Sequence, residues 1–201
     1  MKKLLKRVCA CFLLVCCVYA FALIGDRQTL KNELIRLHVV AASDSQEDQA
    51  IKLRVRDAVL ESLEEGLADV TDVVAAKLWI EENLPKLEAA ANETLAAVGC
   101  GDVATVCLQA EEFAARVYDT FTLPAGVYDA LRITIGEGAG RNWWCVAFPS
   151  LCLPATTEDF EAVAAGAGFS EELTGSLTGE YELRFYLLDL LGQFENFLRR
   201  E

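Results

Sequence analysis

Hydrophobic and polar residues alternate most clearly between Leu123 and Leu153. Val127, Asp129, Leu131, Ile133 and Ile135 alternate with Tyr128, Ala130, Arg132 and Thr134, the period of a β-strand. Pro124-Ala-Gly126 ahead of them is a turn signal, because proline presets φ and glycine tolerates positive φ. Gly136-Glu-Gly138-Ala-Gly140 breaks the alternation, and Asn142–Phe148 resumes it with residues that suit a pleated, half-buried surface. Two strands joined by a glycine-rich reversal predict a β-hairpin with a long, bulged loop. Trp143 and Trp144 then point to opposite faces. Burial of both is the expectation; an exposed one would anchor a partner, a role in which tryptophan is enriched.

Elsewhere the period is mostly helical. Ile35–Ala41 reads as a short strand. Ser45 then caps a helix, with Glu47 and Asp48 in its first turn and Ile51, Val55, Ala58, Val59 and Leu63 on one face. Lys52, Arg54, Arg56 and Asp57 read as its solvated face, with i,i+4 pairing. A second helical region covers Asp72–Val98. Pro85 is expected to divide it, and Gly99 to stop it. Val103–Gln109 and Thr120–Leu123 are predicted strands, and Thr157–Ala165 a small-residue helix. Glycines from Gly166 to Gly179 mark loops, Tyr181–Phe185 reads as a strand, and Leu187–Leu198 as a final amphipathic helix. Strands and helices do not alternate as in a doubly wound sheet. The expectation is an α+β fold: a mainly antiparallel sheet with helices on one face, preceded by an N-terminal signal or anchor helix.

That N-terminal segment has an export layout. Lys2, Lys3, Lys6 and Arg7 precede the uncharged apolar run Val8–Ile24, and small residues at Val18-Tyr-Ala20 and Ala20-Phe-Ala22 offer cleavage sites. Its charges hold the N-terminus inside, so the rest crosses the membrane. Residues 1–25 read as a signal peptide, preferred to an uncleaved anchor, and 26–201 as one exported domain. Without its four basic residues the chain carries 14 basic against 31 acidic residues, a net charge of −17. Such a surface is repelled by nucleic acid and anionic lipid. Membrane contact is expected only through the N-terminal segment.

Few residues invite chemistry. G-x-G-x-G followed by a Trp-Trp strand lacks the helix that a dinucleotide site needs, and no P-loop is present. The glycines are a turn. His38 is the only histidine, so a zinc centre lacks ligands and a cysteine nucleophile has His38 as its sole imidazole base; set mid-strand among apolar residues, it reads as structural. Asp44, Glu47 and Asp48 lack EF-hand spacing, and helix capping accounts for them without calcium. No cofactor or metal is expected. Cys100, Cys107, Cys145 and Cys152 of the exported part allow three full pairings. In one extended strand Cys145 and Cys152 would be about 23 Å apart, too far to bond. A reversal at Pro149-Ser150 removes that obstacle. Cys100–Cys107 is the weaker pairing, and four buried thiols are the alternative.

Two long runs carry a family resemblance: PAGVYDALRITIGEGAGRNWWCVAFPSLC from Pro124, and IRLHVVAASDSQEDQAIKLRVRDAVL from Ile35. Both resemble the stage II sporulation protein R family of endospore-forming bacteria, with a looser third match at Tyr181–Phe185. Ala42 departs from the pattern, where the family carries a polar asparagine. The resemblance implies a protein exported from the forespore into the intermembrane space. There it activates a membrane-embedded aspartic protease that processes pro-sigma-E, as a binding protein rather than an enzyme. It also carries both Cys145 and Cys152. The partner-binding residues expected from it are Trp143, Trp144, Arg132, Asp44, Asp48 and Arg56. The alternative reading is a secreted hydrolase or cell-wall enzyme using His38 with Asp44 or a cysteine.

Overall fold

The computed structural model describes residues 2–118, 121–149, 166, 169, 171–178 and 183–199. In chain order these form α1 (Lys2–Glu33), β1 (Ile35–Val40), α2 (Gln46–Leu67) and α3 (Val73–Ala97). Strands β2 (Ala104–Phe113), β3 (Arg116–Val117), β4 (Thr122–Leu123), β5 (Gly126–Ile135) and β6 (Asn142–Phe148) follow. Helices α4 (Glu171–Thr178) and α5 (Leu183–Arg199) complete the described part. The class is α+β, with a mixed, mainly antiparallel four-stranded sheet ordered β2-β5-β1-β6.

That order corrects the expected hairpin. β5 and β6 are not neighbours, because β1 lies between them, parallel to β5 and antiparallel to β6. All six residues of β1 are buried. A strand covered on both faces belongs in the middle of a sheet, where both its edges also find partners. The connection at residues 136–141 therefore crosses over the end of β1, spanning two strand spacings, roughly 9.6 Å. Glycine makes the crossing close: Gly136 and Gly138 take positive φ, and a Cβ on Gly140 would lie 2.2 Å from the Ser43 carbonyl oxygen. Hydrogen bonds from Gly140 N to Ala41 O (2.9 Å) and from Ala139 N to Ala42 O (3.2 Å) fasten it.

Helices α2 and α3 cover one face. Ile51, Val55, Val59 and Leu63 of α2, with Ile80, Leu87 and Leu95 of α3, pack on Leu37, Val39, Leu131 and Ile133. Ser45 caps α2 as expected, its Oγ accepting from Asp48 N at 3.0 Å. Pro85 does not divide α3, which runs unbroken through it. The helix tolerates the lost donor because its apolar face is anchored on both sides of the proline. At its end Cys100 N donates to Leu95 O and Gly99 N to Ala96 O, a Schellman stop with Gly99 at φ 73°.

The helices are not confined to that face. Leu23, Leu30 and Leu34 in and after α1, Leu173 and Leu177 of α4, and Phe185 and Leu188 of α5 pack with Phe113, Tyr128, Ala130 and Val146 on the opposite face. Helix α1 runs through residue 25 without a break, and Leu23 is buried. Ala20 and Ala22, the expected cleavage positions, both precede that docked part. Leu183–Phe185 are the first turn of α5 rather than a strand, and α4 replaces an expected loop. The expected helix Thr157–Ala165 lies outside the described residues.

Candidate functional site

Two neighbouring surfaces gather the chemistry-bearing residues. The first is the clasp where the β5–β6 connection meets the start of α2. Asp44 Oδ1 accepts from Arg141 N at 2.7 Å and faces Arg141 Nε at 3.5 Å. Ser43 Oγ donates to Asp48 and accepts from Ser45 N at 3.1 Å. Lys52 is not on a solvated face as expected: only 4% of it is exposed. Its ammonium donates to Gln49 Oε1 at 2.7 Å and to Arg141 O at 2.9 Å. Burial and then the neighbouring Arg141 charge hold its pKa below the usual lysine value. Asp48 thus orders the turn from within, while Asp44 and Arg141 face solvent.

The second surface is the part of the sheet that faces away from α2 and α3. Strand register places Cys107, Arg132, His38 and Trp144 in one row across β2, β5, β1 and β6. His38 Nδ1 pairs with Glu111 Oε1 at 2.9 Å, and Nε2 with Asn142 Oδ1 at 2.8 Å. Arg132 Nη1 donates to the same Glu111 oxygen at 2.7 Å. Burial opposes ionisation of Glu111, but its His38 hydrogen bond and the His38 and Arg132 charges outweigh that. Its carboxyl is held below the usual glutamate range. Trp144 stacks on His38 at 5.4 Å between ring centroids, and the Arg116 guanidinium covers it at 3.7 Å. Toward β2 the row opens to solvent at Thr105, Cys107 and Gln109.

Trp143 points the other way, as strand alternation requires. It packs against the α2 side under the Arg56 guanidinium, 4.3 Å from its ring centroid. Arg56 in turn pairs with Asp57. Both tryptophans are half-buried, each beneath an arginine. The six expected partner-binding residues therefore divide. Trp144 and Arg132 lie on the open face, Trp143 and Arg56 on the α2 side, and Asp44 and Asp48 in the clasp between the ends of both.

Two members were not anticipated. Glu111 gives no signal in the sequence beyond alternation within β2. Arg36 alternates with apolar residues like any strand residue, yet it is fully buried. Its guanidinium donates to Tyr118 Oη at 2.7 Å and Cys145 O at 3.3 Å, and lies over the Phe113 ring at 4.3 Å. Cys145 is disulfide-bonded, whereas Cys100 and Cys107 are free thiols, against the weaker expected pairing. Cys152 lies outside the described residues.

The geometry also corrects the hydrolase pairing. His38 meets Glu111 and Asn142, whereas Asp44 belongs to Arg141. Cys107 stands two strand spacings from His38 in the row, about 9.6 Å, beyond proton-transfer reach. Both ring nitrogens of His38 are engaged and its faces meet Trp144 and the edge of Phe113. This is an arrangement that holds residues in place.

A sequence model of the stage II sporulation protein R family matches residues 31–158. The chain belongs to that family. A relative, stage II sporulation protein R of Bacillus subtilis (strain 168), is 38% identical over 123 residues, 61% of this chain and 55% of the relative. The match thus spans little more than half the relative's length. No solved structure matches. The matched residues contain the whole sheet, the clasp and helices α2 and α3. The looser resemblance at Tyr181–Phe185 lies beyond them. The family name places the chain in sporulation, and α1 is compatible with a signal or anchor.

Proposed function

We propose that the chain is an exported activator in endospore formation. It leaves the forespore for the intermembrane space and binds a membrane-embedded aspartic protease, which then processes pro-sigma-E. The observation that carries this reading is the family match across the entire sheet and clasp. Helix α1 supports export: it is long and apolar enough to enter a membrane, and its apolar run is largely bare. The binding surface we assign is the clasp with the adjoining open sheet face. Asp44 and Arg141 are its exposed contacts and Arg132 its central cation; Trp144 and Asp48 shape the open face and the clasp, and Trp143 with Arg56 borders the clasp on the α2 side. Activation requires tighter binding to the protease's active state than to its inactive one, so a variant can bind and still fail to activate.

The test is pro-sigma-E cleavage in a non-sporulating bacterial host that carries the protease and substrate. Cells exporting this chain are compared with cells lacking its first 22 residues and with cells lacking it altogether. Cleavage in the exporting cells alone is the expected result. Absence of cleavage there, with export confirmed and a working activator alongside, overturns the reading. The surface assignment has its own test. Asp44→Ala, Arg132→Ala, Trp143→Ala and Trp144→Ala, each folded and exported, should lower cleavage, and full cleavage by all four would sink it.

A further inference from the structure

Helix α5 is apolar on two sides. Phe185 and Leu188 face the core, and Asn196, two turns further along, donates to Phe113 O at 3.1 Å. On the far side Tyr186, Leu190, Phe194, Phe197 and Leu198 form a continuous stripe, each about half exposed. Their spacing of four, four, three and one puts them on one helix surface. A bare stripe with three aromatic rings is costly in water, and Phe194 and Phe197 have no polar atom to offset it.

The neighbouring helix indicates what covers it. Among the described residues, α1 alone is long and apolar enough to cross a membrane. Just past its apolar run, Arg27 and Lys31 both pair with Glu195 of α5. These ion pairs, one helical turn apart on α1, converge on a single carboxylate. Val8–Ile24 contains 17 residues, roughly 26 Å of helix and close to the hydrocarbon thickness. Arg27 and Lys31 then stand about 4 and 10 Å beyond its end. The headgroup layer is roughly 5–8 Å deep on each side. With α1 inserted, Glu195 is therefore held at headgroup level, with Phe194, Phe197 and Leu198 around it. Arg199 adds a cation at the same end of an otherwise acidic chain.

We propose that α5 is an interfacial helix whose outer stripe lies in the headgroup–acyl boundary beside inserted α1. The ligand is the lipid bilayer itself, and membrane contact extends beyond the N-terminal segment. Aromatic and leucine side chains facing the acyl boundary, with cations at the flank, are what such a helix requires. The stripe and the tie at Glu195 fix which way the sheet stands over the membrane, rather than leaving it to swing on α1. This inference rests on the anchored form of the chain, not on protease activation.

The experiment inserts the full chain into vesicles of phosphatidylethanolamine and phosphatidylglycerol, three to one, containing a lipid with a photoreactive acyl chain. After illumination, labelled peptides are quantified by mass spectrometry, with no protease present, so the outcome is independent of the activator reading. The peptide spanning α5 should be labelled at least tenfold above the α3 peptide carrying exposed Leu78. The variant Leu190→Ser/Phe194→Ser/Phe197→Ser changes only exposed positions and should lose that labelling while α1 keeps its own. Labelling of α5 no greater than that of α3 overturns the inference and leaves a protein partner to cover the stripe. Labelling that survives in the serine variant overturns it too, because the stripe would not be its cause.

Discussion

On its α2–α3 side the sheet presents Leu37, Val39, Leu131, Ile133 and Ile135, and the helices answer with leucine, isoleucine, valine and alanine. On the other side the same strands present Arg36, His38, Arg132 and Thr134, and the partners are Tyr118, Glu111, Asn142 and two aromatic rings. The first face is held mainly by apolar area, which is non-directional and tolerant, with Asn92, Glu88 and Lys77 of α3 bonding to the strands at its margin. On the second, Arg36, His38 and Arg132 each meet a specific polar partner, and each lost partner leaves a desolvated group behind. Both faces bury apolar residues, and the larger cluster lies on the first. The second fixes how β1 sits between β5 and β6, and so how the clasp and open row are presented.

The largest expected effect tests the apolar side. Leu37→Ala removes a fully buried side chain at the centre of the dry face and should cost about 2–5 kcal/mol in urea unfolding. A cost near zero would mean that this face is not the main stabilising one. Next is Gly140→Ala, whose methyl must push the Ser43 backbone away, because an atom there would stand 2.2 Å from its carbonyl oxygen. The expected loss is about 1–3 kcal/mol, with faster hydrogen exchange at residues 41–45. Unchanged exchange there would mean that the clasp does not depend on the close crossing.

Glu111→Gln probes the polar side and should cost about 1–2 kcal/mol at neutral pH. The sign of its pH dependence follows from the depressed carboxyl. A glutamate whose folded pKa lies below its unfolded value contributes stability at pH above the unfolded pKa. That stability is lost as pH falls through the folded pKa. Wild type should therefore lose its advantage over the variant on acidification, and the two unfolding curves should converge. A gap that stays constant down to strongly acidic pH would assign the cost to packing rather than to charge.

How much of this was legible in the sequence depended on the range of the interaction. The Ser45 cap, the Gly99 stop and the opposed faces of Trp143 and Trp144 follow from neighbours within a few residues, and all three are found. The β5–β6 hairpin failed because nothing local says that β1, some ninety residues earlier, inserts between its strands. Continuous burial of Ile35–Val40 was the available hint, but Arg36 and His38 hid it by reading as polar positions. Pro85 signals a break by propensity alone, and the packing that anchors α3 on both sides of it lies outside any local pattern. The Glu111 contact with His38 is 73 positions distant in sequence, so it could be assembled only once the strand order was known.

The smallest structural effect belongs to the clasp. Asp44→Asn keeps an oxygen to accept from Arg141 N and removes a charge from a side chain that is 65% exposed. An ion pair at such exposure, 3.5 Å long and screened by water, contributes little. Urea unfolding should therefore change by less than about 0.5 kcal/mol. A local hydrogen bond that survives gives residues 41–45 no reason to move. Because the fold barely registers the substitution, any large fall in pro-sigma-E cleavage must arise where the lost charge meets a partner. Cleavage that stays at the wild-type level would remove Asp44 from the binding surface and leave the open row to carry it.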